Sequence, residues 1–491
     1  MTDVITGLGP AWESVVATTL ESSADLTVTR RCADVAELLS VAEAGLGQCA
    51  VVSADLHGLD LGLVHRLSQC GVLVVGLYPT GDDGAERRLR QLRIPVVLPV
   101  EASAADFSAA VRNQTQGRTS GRPNPTDLPD VGVAEASGQL LVPGHVPDEL
   151  VDSGRGPNGY SGPTPGSGPP SPSGASPFDG GDDRGDDGGW QPRGSGPEAA
   201  PSTDLDQPAR STIIAVWGPT GGPGRTTVAV NLAAEIATRG REVLLVDADT
   251  YGGSVAQVLG LLDEAPGIAA ACRAADHGTL DLPALARLAP VVMPGLRVLT
   301  GLPKAERWPE LRAAALERVL ELGRGLAPVI VVDCGFCIEN DEELSYDTAA
   351  PRRNEATLTT LARADTVLAV GNGDPVGLQR FVRALQELGS VPSPAPVPVV
   401  NRVRSSAVGS RPQERIAESL LRFAGLDGLH FLPDDAATVD AAVLAGRSVV
   451  EHAPTSAVGS AFADLATAVA PWTRTRVTGR QRRLLRARAA G

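Results

Sequence analysis

The sequence predicts an α/β protein with two parallel-sheet domains joined by a linker, and three observations carry that expectation. Short β-rich runs alternate with segments at helical spacing over residues 1–115, and again over 211–470. A glycine-rich turn, GPTGGPGRTT, lies between a β-rich run and a helical segment at the start of the second half. Between the halves, residues 151–210 contain 14 Gly, 11 Pro and 8 Ser, with Asp in runs such as DDRGDDGG. Such a composition cannot offset the entropy of ordering, so residues 116–210 are expected to form a disordered linker.

With 491 residues the chain is long enough for several cores. Its formal charge of −15 argues against sequence-independent nucleic-acid binding, which needs a basic surface. Only one of the 43 basic residues is a lysine, Lys304. The opening MTDVITGLGPAWESV has an acid rather than a basic leader region, and no uninterrupted apolar run reaches about 18 residues. A cytoplasmic protein is therefore expected. Six dispersed cysteines make no disulfide framework, and six scattered histidines lack ligand spacing.

In the first domain, the runs VITGL, LTVTR, AVVSA, VLVVGLY and PVVLPV read as five strands. Between them lie helical stripes such as Trp12, Val15, Val16 and Leu20, then Val35, Leu38, Leu39 and Ala42. Five βα units predict a small parallel sheet covered on both faces. Over residues 3–113 this resembles the receiver (CheY-like) domain of response regulators. That chemistry needs an acidic pair after the first strand, an acceptor Asp after the third and a Lys after the fifth. Here the first strand runs into Gly7-Leu8-Gly9-Pro10, the fifth ends Leu98-Pro99-Val100, and Asp55 alone stands near the acceptor position. The expectation is a pseudo-receiver used for docking or dimerisation.

The second domain opens with the strand-like Thr212–Trp217, the glycine-rich turn and a helical segment from Val228. In this arrangement backbone N–H groups and a helix N-terminus surround phosphate. Gly221, Gly222 and Gly224 permit close approach, Thr226 is a candidate Mg²⁺ ligand and Thr227 a candidate phosphate donor. The next apolar run ends at Asp247 and continues Ala248-Asp249, placing two carboxylates near the same mouth. A further run, Val329-Ile-Val-Val-Asp333, ends in an aspartate as a Walker B strand does. Later come Thr366-Val-Leu-Ala-Val, Val397-Pro-Val-Val-Asn401 and Phe431-Leu432-Pro433.

This order of motifs resembles the ParA/MinD family of deviant-Walker P-loop ATPases. Paired with a receiver-like first domain, it resembles the branch of septum-site-determining and pilus-localisation proteins. The resemblance implies ATP and Mg²⁺ as ligands, with Asp249 orienting water, Thr226, Asp247 and Asp333 serving Mg²⁺, and Asn401 and Pro433 framing adenine. It also implies a homodimer and a spatial regulator with septum or pilus-secretion components as partners. Aligned on the family loop, Thr220 stands at the signature lysine and Arg225 at the P-loop lysine. Arginine keeps the charge but presents a planar fork, and Pro223 removes one backbone donor. Nucleotide binding without fast hydrolysis is expected, Arg225 being the remaining catalytic cation. An actively cycling ATPase and a nucleotide-free scaffold are the alternatives.

Three other features have plain readings. Cys334-Gly-Phe-Cys337 has C-x-x-C spacing but follows a Walker B run, so two ordinary free thiols are expected. The charged stretch 338–354, acidic and then basic at Arg352 and Arg353, lies beside the expected site and reads as a solvated surface loop, with a partner-binding or lid loop as the alternative. The tail 471–491 carries seven arginines and no acid and reads as a disordered tail, with peripheral contact with an anionic membrane, for which its apolar face is thin, or contact with nucleic acid as the alternatives.

Overall fold

A computed structural model describes residues 1–119, 211–261, 266–340 and 351–470. The last helix of the first domain, Ala104–Thr119, runs into the stretch expected as linker. The rest of that stretch, 120–210, and the basic tail lie outside the described residues.

The first domain contains β1 (Thr2–Gly7), β2 (Leu26–Cys32), β3 (Cys49–Ser53), β4 (Leu73–Tyr78) and β5 (Val96–Pro99). All pair in parallel in the order β2-β1-β3-β4-β5, the flavodoxin-type doubly wound order. The apolar runs of β1 and β3 are central and buried, as a sheet covered on both faces requires. Helices Val35–Glu43 and Leu61–Gln69 start where Asp34 and Asp60 accept from the amides of Glu37 and Leu63. Asp55 is exposed in the turn after β3, facing the Gly9 backbone, and the Gly9 amide donates to Ser53 Oγ at 2.7 Å.

The second domain contains β6 (Thr212–Trp217), β7 (Val243–Ala248), β8 (Val291–Met293), β9 (Leu296–Leu299), β10 (Val329–Cys334), β11 (Thr366–Asn372), β12 (Pro396–Val403) and β13 (His430–Pro433). They form one sheet in the order β13-β12-β11-β6-β10-β7-β9-β8, with β8 the antiparallel edge. β7 and β10 are buried along their whole length, which explains their unbroken apolar sequence. Helices Arg225–Thr238 and Ala457–Val469 cover one face, packing Val228, Leu232, Val458 and Phe462 on the sheet. Helices Gly267–Asp276 and Ala313–Leu326 cover the other through Ile268, Cys272, Leu316 and Leu320. The chain reverses direction around β6, with β10 on one side and β11 on the other. Its carboxyl end is therefore the crevice where such sheets bind ligands.

The two domains touch directly. Arg88 donates to Ala54 O and Leu59 O in its own domain and, at 3.1 Å, to His277 O in the other. Asp60 pairs with Arg312 at 3.1 Å, and Ala314 packs into the first domain's core. Glu317, whose side chain is only 8% exposed, pairs with Arg363 and lies 3.8 Å from Arg93.

At the end of helix Gly267–Asp276, Asp276 is buried with Oδ1 unpartnered. Burial and the nearby Asp60 push its carboxyl up to about 6, partly offset by Arg312. The folded state thus holds a proton there that the unfolded chain releases near 3.8. Its stabilising effect is complete below about pH 4 and lost as pH rises through about 6, a difference of roughly 1–3 kcal/mol. Asp276→Asn should therefore flatten the stability–pH curve between pH 4 and 7 and raise stability at pH 7, as followed by urea unfolding.

Candidate nucleotide site

β6 ends at Trp217 and the chain turns through Gly218–Gly224 into helix Arg225–Thr238. Gly221, Gly222 and Gly224 have φ of 103°, 66° and 90°, a backbone conformation that side chains oppose. No side chain caps this helix, so its first-turn amides, including those of Thr226 and Thr227, are left for an anion.

Beneath the loop, parallel pairing places Asp333 of β10 opposite Asp247 of β7 and next to Val216 of β6. Thr226 Oγ1 donates to Asp333 Oδ2 at 2.6 Å, and Ser254 Oγ donates to Thr226 Oγ1 at 3.2 Å. Asp247 accepts from the amides of Asp249 at 3.3 Å and Val255 at 3.1 Å. Asp333 Oδ1 is buried and has no partner. Burial is the main cause that pushes Asp247 up to about 7 and Asp333 well above the usual carboxylate range, and their mutual repulsion adds to the Asp333 shift. This fits Mg²⁺, a hard cation that takes a hydroxyl and one or two carboxylates, with water and phosphate completing its shell. Among the described residues no group of three or more His, Cys, Asp or Glu could hold a metal by itself.

Arg225 does not extend over the loop. Its Nε donates to Cys334 O at 3.0 Å, Nη1 to Gly218 O and Pro219 O at 3.3 and 3.2 Å, and Nη2 to Asp249 Oδ2 at 3.2 Å. Asp249, expected to orient water, has its other oxygen engaged by the amides of Tyr251 at 2.8 Å and Gly252 at 3.2 Å. The two side chains are 13% and 5% exposed, so water screens this ion pair poorly. One guanidinium ties together the loop, the end of β10 and the turn after β7.

That turn is also clamped from outside. Thr250 Oγ1 donates to Arg353 O, and Arg353 Nη2 donates to Thr250 O, both at 3.2 Å. The Arg353 guanidinium lies 3.8 Å from the Tyr251 ring centre, and Tyr251 Oη donates to Asn354 Oδ1 at 2.7 Å. Burial and neighbouring Cys337 push the Tyr251 hydroxyl up to about 12, keeping it a proton donor. Of the stretch 338–354 expected to be a surface loop, residues 341–350 lie outside the described residues, while Arg353 and Asn354 form this clamp.

The residues expected at adenine lie on the β11-β12-β13 side. Asn401 Nδ2 donates to Pro223 O at 2.8 Å and its Oδ1 accepts from Arg402 N, so the amide braces the phosphate loop. Pro433 closes β13 opposite Val403, and the following Asp434 pairs with Arg404 at 3.4 Å. Cys334 and Cys337 are both free, and Cys334 is buried in the core with its thiol pushed up by burial. The sequence places Arg353 and Asn354 in a charged segment beside the site without a specific role, whereas Ser254 carries no sequence signal of its own. Ser254 lies five residues after Asp249, close enough to be a candidate, while the contacts of Arg353 and Asn354 with the Asp249 turn come from the fold.

Asp333→Asn removes a buried carboxylate with an orphaned oxygen. In EDTA it should raise the unfolding free energy by on the order of 1 kcal/mol. It should also lose most of the rise in melting temperature that Mg²⁺ with ATP gives the parent chain, as read by thermal unfolding.

Residues 214–445 match the CobQ/CobB/MinD/ParA nucleotide binding domain. The chain is 27% identical over 258 residues to the iron-sulfur cluster carrier protein of Mycobacterium bovis, covering 52% of this chain and 63% of that one. A ParA family ATPase from Chlorobium tepidum shares 18% identity with a TM-score of 0.44, over 52% of this chain and 98% of its own. The septum site-determining protein MinD of Pyrococcus horikoshii, complexed with Mg-ADP, shares 20% identity with a TM-score of 0.42, over 55% and 98%. The uncapped loop on β6, the paired Asp247 and Asp333 beneath it, and the match over these residues agree: residues 214–445 form a ParA/MinD-type P-loop nucleotide-binding domain.

Proposed function

We propose that this protein is an ATP-binding spatial regulator whose output is set by the nucleotide it holds rather than by rapid turnover. The observation that carries this reading is the bridge made by Arg225 between the phosphate loop and Asp249. Phosphate oxygens are stronger acceptors for a guanidinium than the carbonyls of Gly218 and Pro219. Arg225 therefore turns toward bound phosphate and leaves Asp249. Without that partner Asp249 holds the Tyr251 and Gly252 amides less firmly, and the clamp to Arg353 and Asn354 passes the change to helix Glu355–Arg363. Mg²⁺, when bound, supplies the charge that neutralises the phosphates. Thr226 would hold it directly, and Asp247 and Asp333 would hold its waters. Asp249 can orient a water only after Arg225 has released it, so hydrolysis trails binding.

In this reading the chain works as a homodimer that marks the site of the division septum or of a pilus-secretion machine. The first domain serves as a pseudo-receiver for docking, and the basic tail gives peripheral contact with an anionic membrane. No helix among the described residues is long and apolar enough to cross a membrane. Cluster carriage, named for the mycobacterial relative, is not transferred through the Cys334–Cys337 pair, because Cys334 is buried in the core and held protonated.

The test is equilibrium binding of ATP to the full chain with and without Mg²⁺, with phosphate release followed in the same sample. Mg²⁺-dependent binding with little release is expected. Fast release would point to a cycling ATPase, and no binding at millimolar ATP to a nucleotide-free scaffold.

A further inference from the structure

A second arginine lies at the phosphate loop. Strand β11 runs beside β6 and leads into helix Pro375–Leu388, whose N-terminus is capped by Asp374 through the amides of Val376 and Gly377. One and a half turns along, Arg380 brings its guanidinium so close to Gly221 that a Cβ there would collide with Nη1. Arg380 and the loop share a cavity of about 200 Å³ lined by Thr220, Gly221, Pro223, Asn372 and Asp374. Asp374 is occupied by its helix cap and by Asn372 Nδ2. Among the described residues no carboxylate lies within ion-pair distance of Arg380, which is exposed to solvent.

The charge balance of the loop gives this arginine a role. Arg225 is held by three carbonyls and Asp249. Arg380 has no such ties and is ready to meet an anion without first breaking an ion pair. Its place along the loop selects which anion. The inner phosphates of a nucleotide fall to the amides at the start of helix Arg225–Thr238, whereas Thr220 and Gly221 lie at the opposite end of the loop. A group there meets the phosphate farthest from the sugar.

Resting on the nucleotide reading above, we infer that Arg380 binds the terminal phosphate of a nucleoside triphosphate and so makes the site prefer triphosphate to diphosphate. The planar fork can give two parallel hydrogen bonds to one phosphate, which a lysine cannot reproduce. Because Arg380 comes from the helix after β11, occupancy by triphosphate also fixes that helix against the loop. Triphosphate and diphosphate states then differ on this side of the domain as well as at Asp249.

The experiment is calorimetric titration of the full chain with ATP and with ADP, both with Mg²⁺, for the parent and for Arg380→Ala, Arg380→Lys and Arg383→Ala. Arg383 is exposed on the same helix and controls for loss of charge alone. Arg380→Ala should weaken ATP binding about 10- to 100-fold, the range of a charge-assisted hydrogen bond, and change ADP binding less than about 3-fold. Lysine should restore part of the loss, and Arg383→Ala should bind both nucleotides like the parent. Equal losses for ATP and ADP, or no loss for ATP while the parent binds it, would overturn the role of Arg380 and leave the nucleotide reading standing. A parent chain that binds neither nucleotide would overturn both. Because Arg380 is exposed, its variants should unfold at the parent's temperature, which excludes loss of fold as the cause.

Discussion

The Arg225 guanidinium is the constraint around which the second domain's ligand end is arranged. It spans the first carbonyls of the phosphate loop, the carbonyl at the end of β10 and the carboxylate of Asp249. A compact ammonium could not reach all of these at once, whereas a planar fork with five donors can. The arginine therefore does more than preserve a positive charge. It makes the shape of the loop and the shape of the Asp249 turn parts of one hydrogen-bonded unit, shielded from water and so little weakened by salt.

The rest of the domain serves to hold that unit. Parallel register alone brings Asp247 and Asp333 side by side, and full burial makes both reluctant to ionise without a cation. The site is thus destabilised when unliganded, a cost offset by the apolar cores on both faces of the sheet. Asn401 braces the loop from the β12 side, while Arg353 and Asn354 hold the Asp249 turn from the β10 side. A change at the loop can therefore pass in two directions, toward β12 and toward helix Glu355–Arg363, without any long-range rearrangement of the sheet.

Much of this was legible in the sequence because it depends on local rules. Four strands of the first domain and the strands carrying the loop, Asp247 and Asp333 are mostly apolar runs with clear breaks, and β2 (LTVTRRC) is legible from its β-branched residues. β8 and β9 escaped because they are short and separated only by Pro294-Gly295. Side-chain direction was not legible. The identity of Arg225 and Asp249 follows from motif order, but their pairing depends on where β7 and β10 end. Arg380 and the Asp60–Arg312 contact were hidden for the same reason, since each joins residues from elements distant in sequence. The burial of Asp276 between like and unlike charges belongs to the contact between domains, which no local pattern encodes.

On the proposed reading, the Arg225–Asp249 pair couples nucleotide occupancy to the turn after β7. Amide hydrogen exchange at Tyr251 and Gly252, whose N–H groups rest on Asp249, measures this most directly. Adding ATP with Mg²⁺ should change their exchange in the parent chain. In Arg225→Ala, exchange should already be fast without nucleotide and respond little to it. Bound ATP that leaves these amides unchanged in the parent, or an Arg225→Ala chain with the parent's protection, would contradict it.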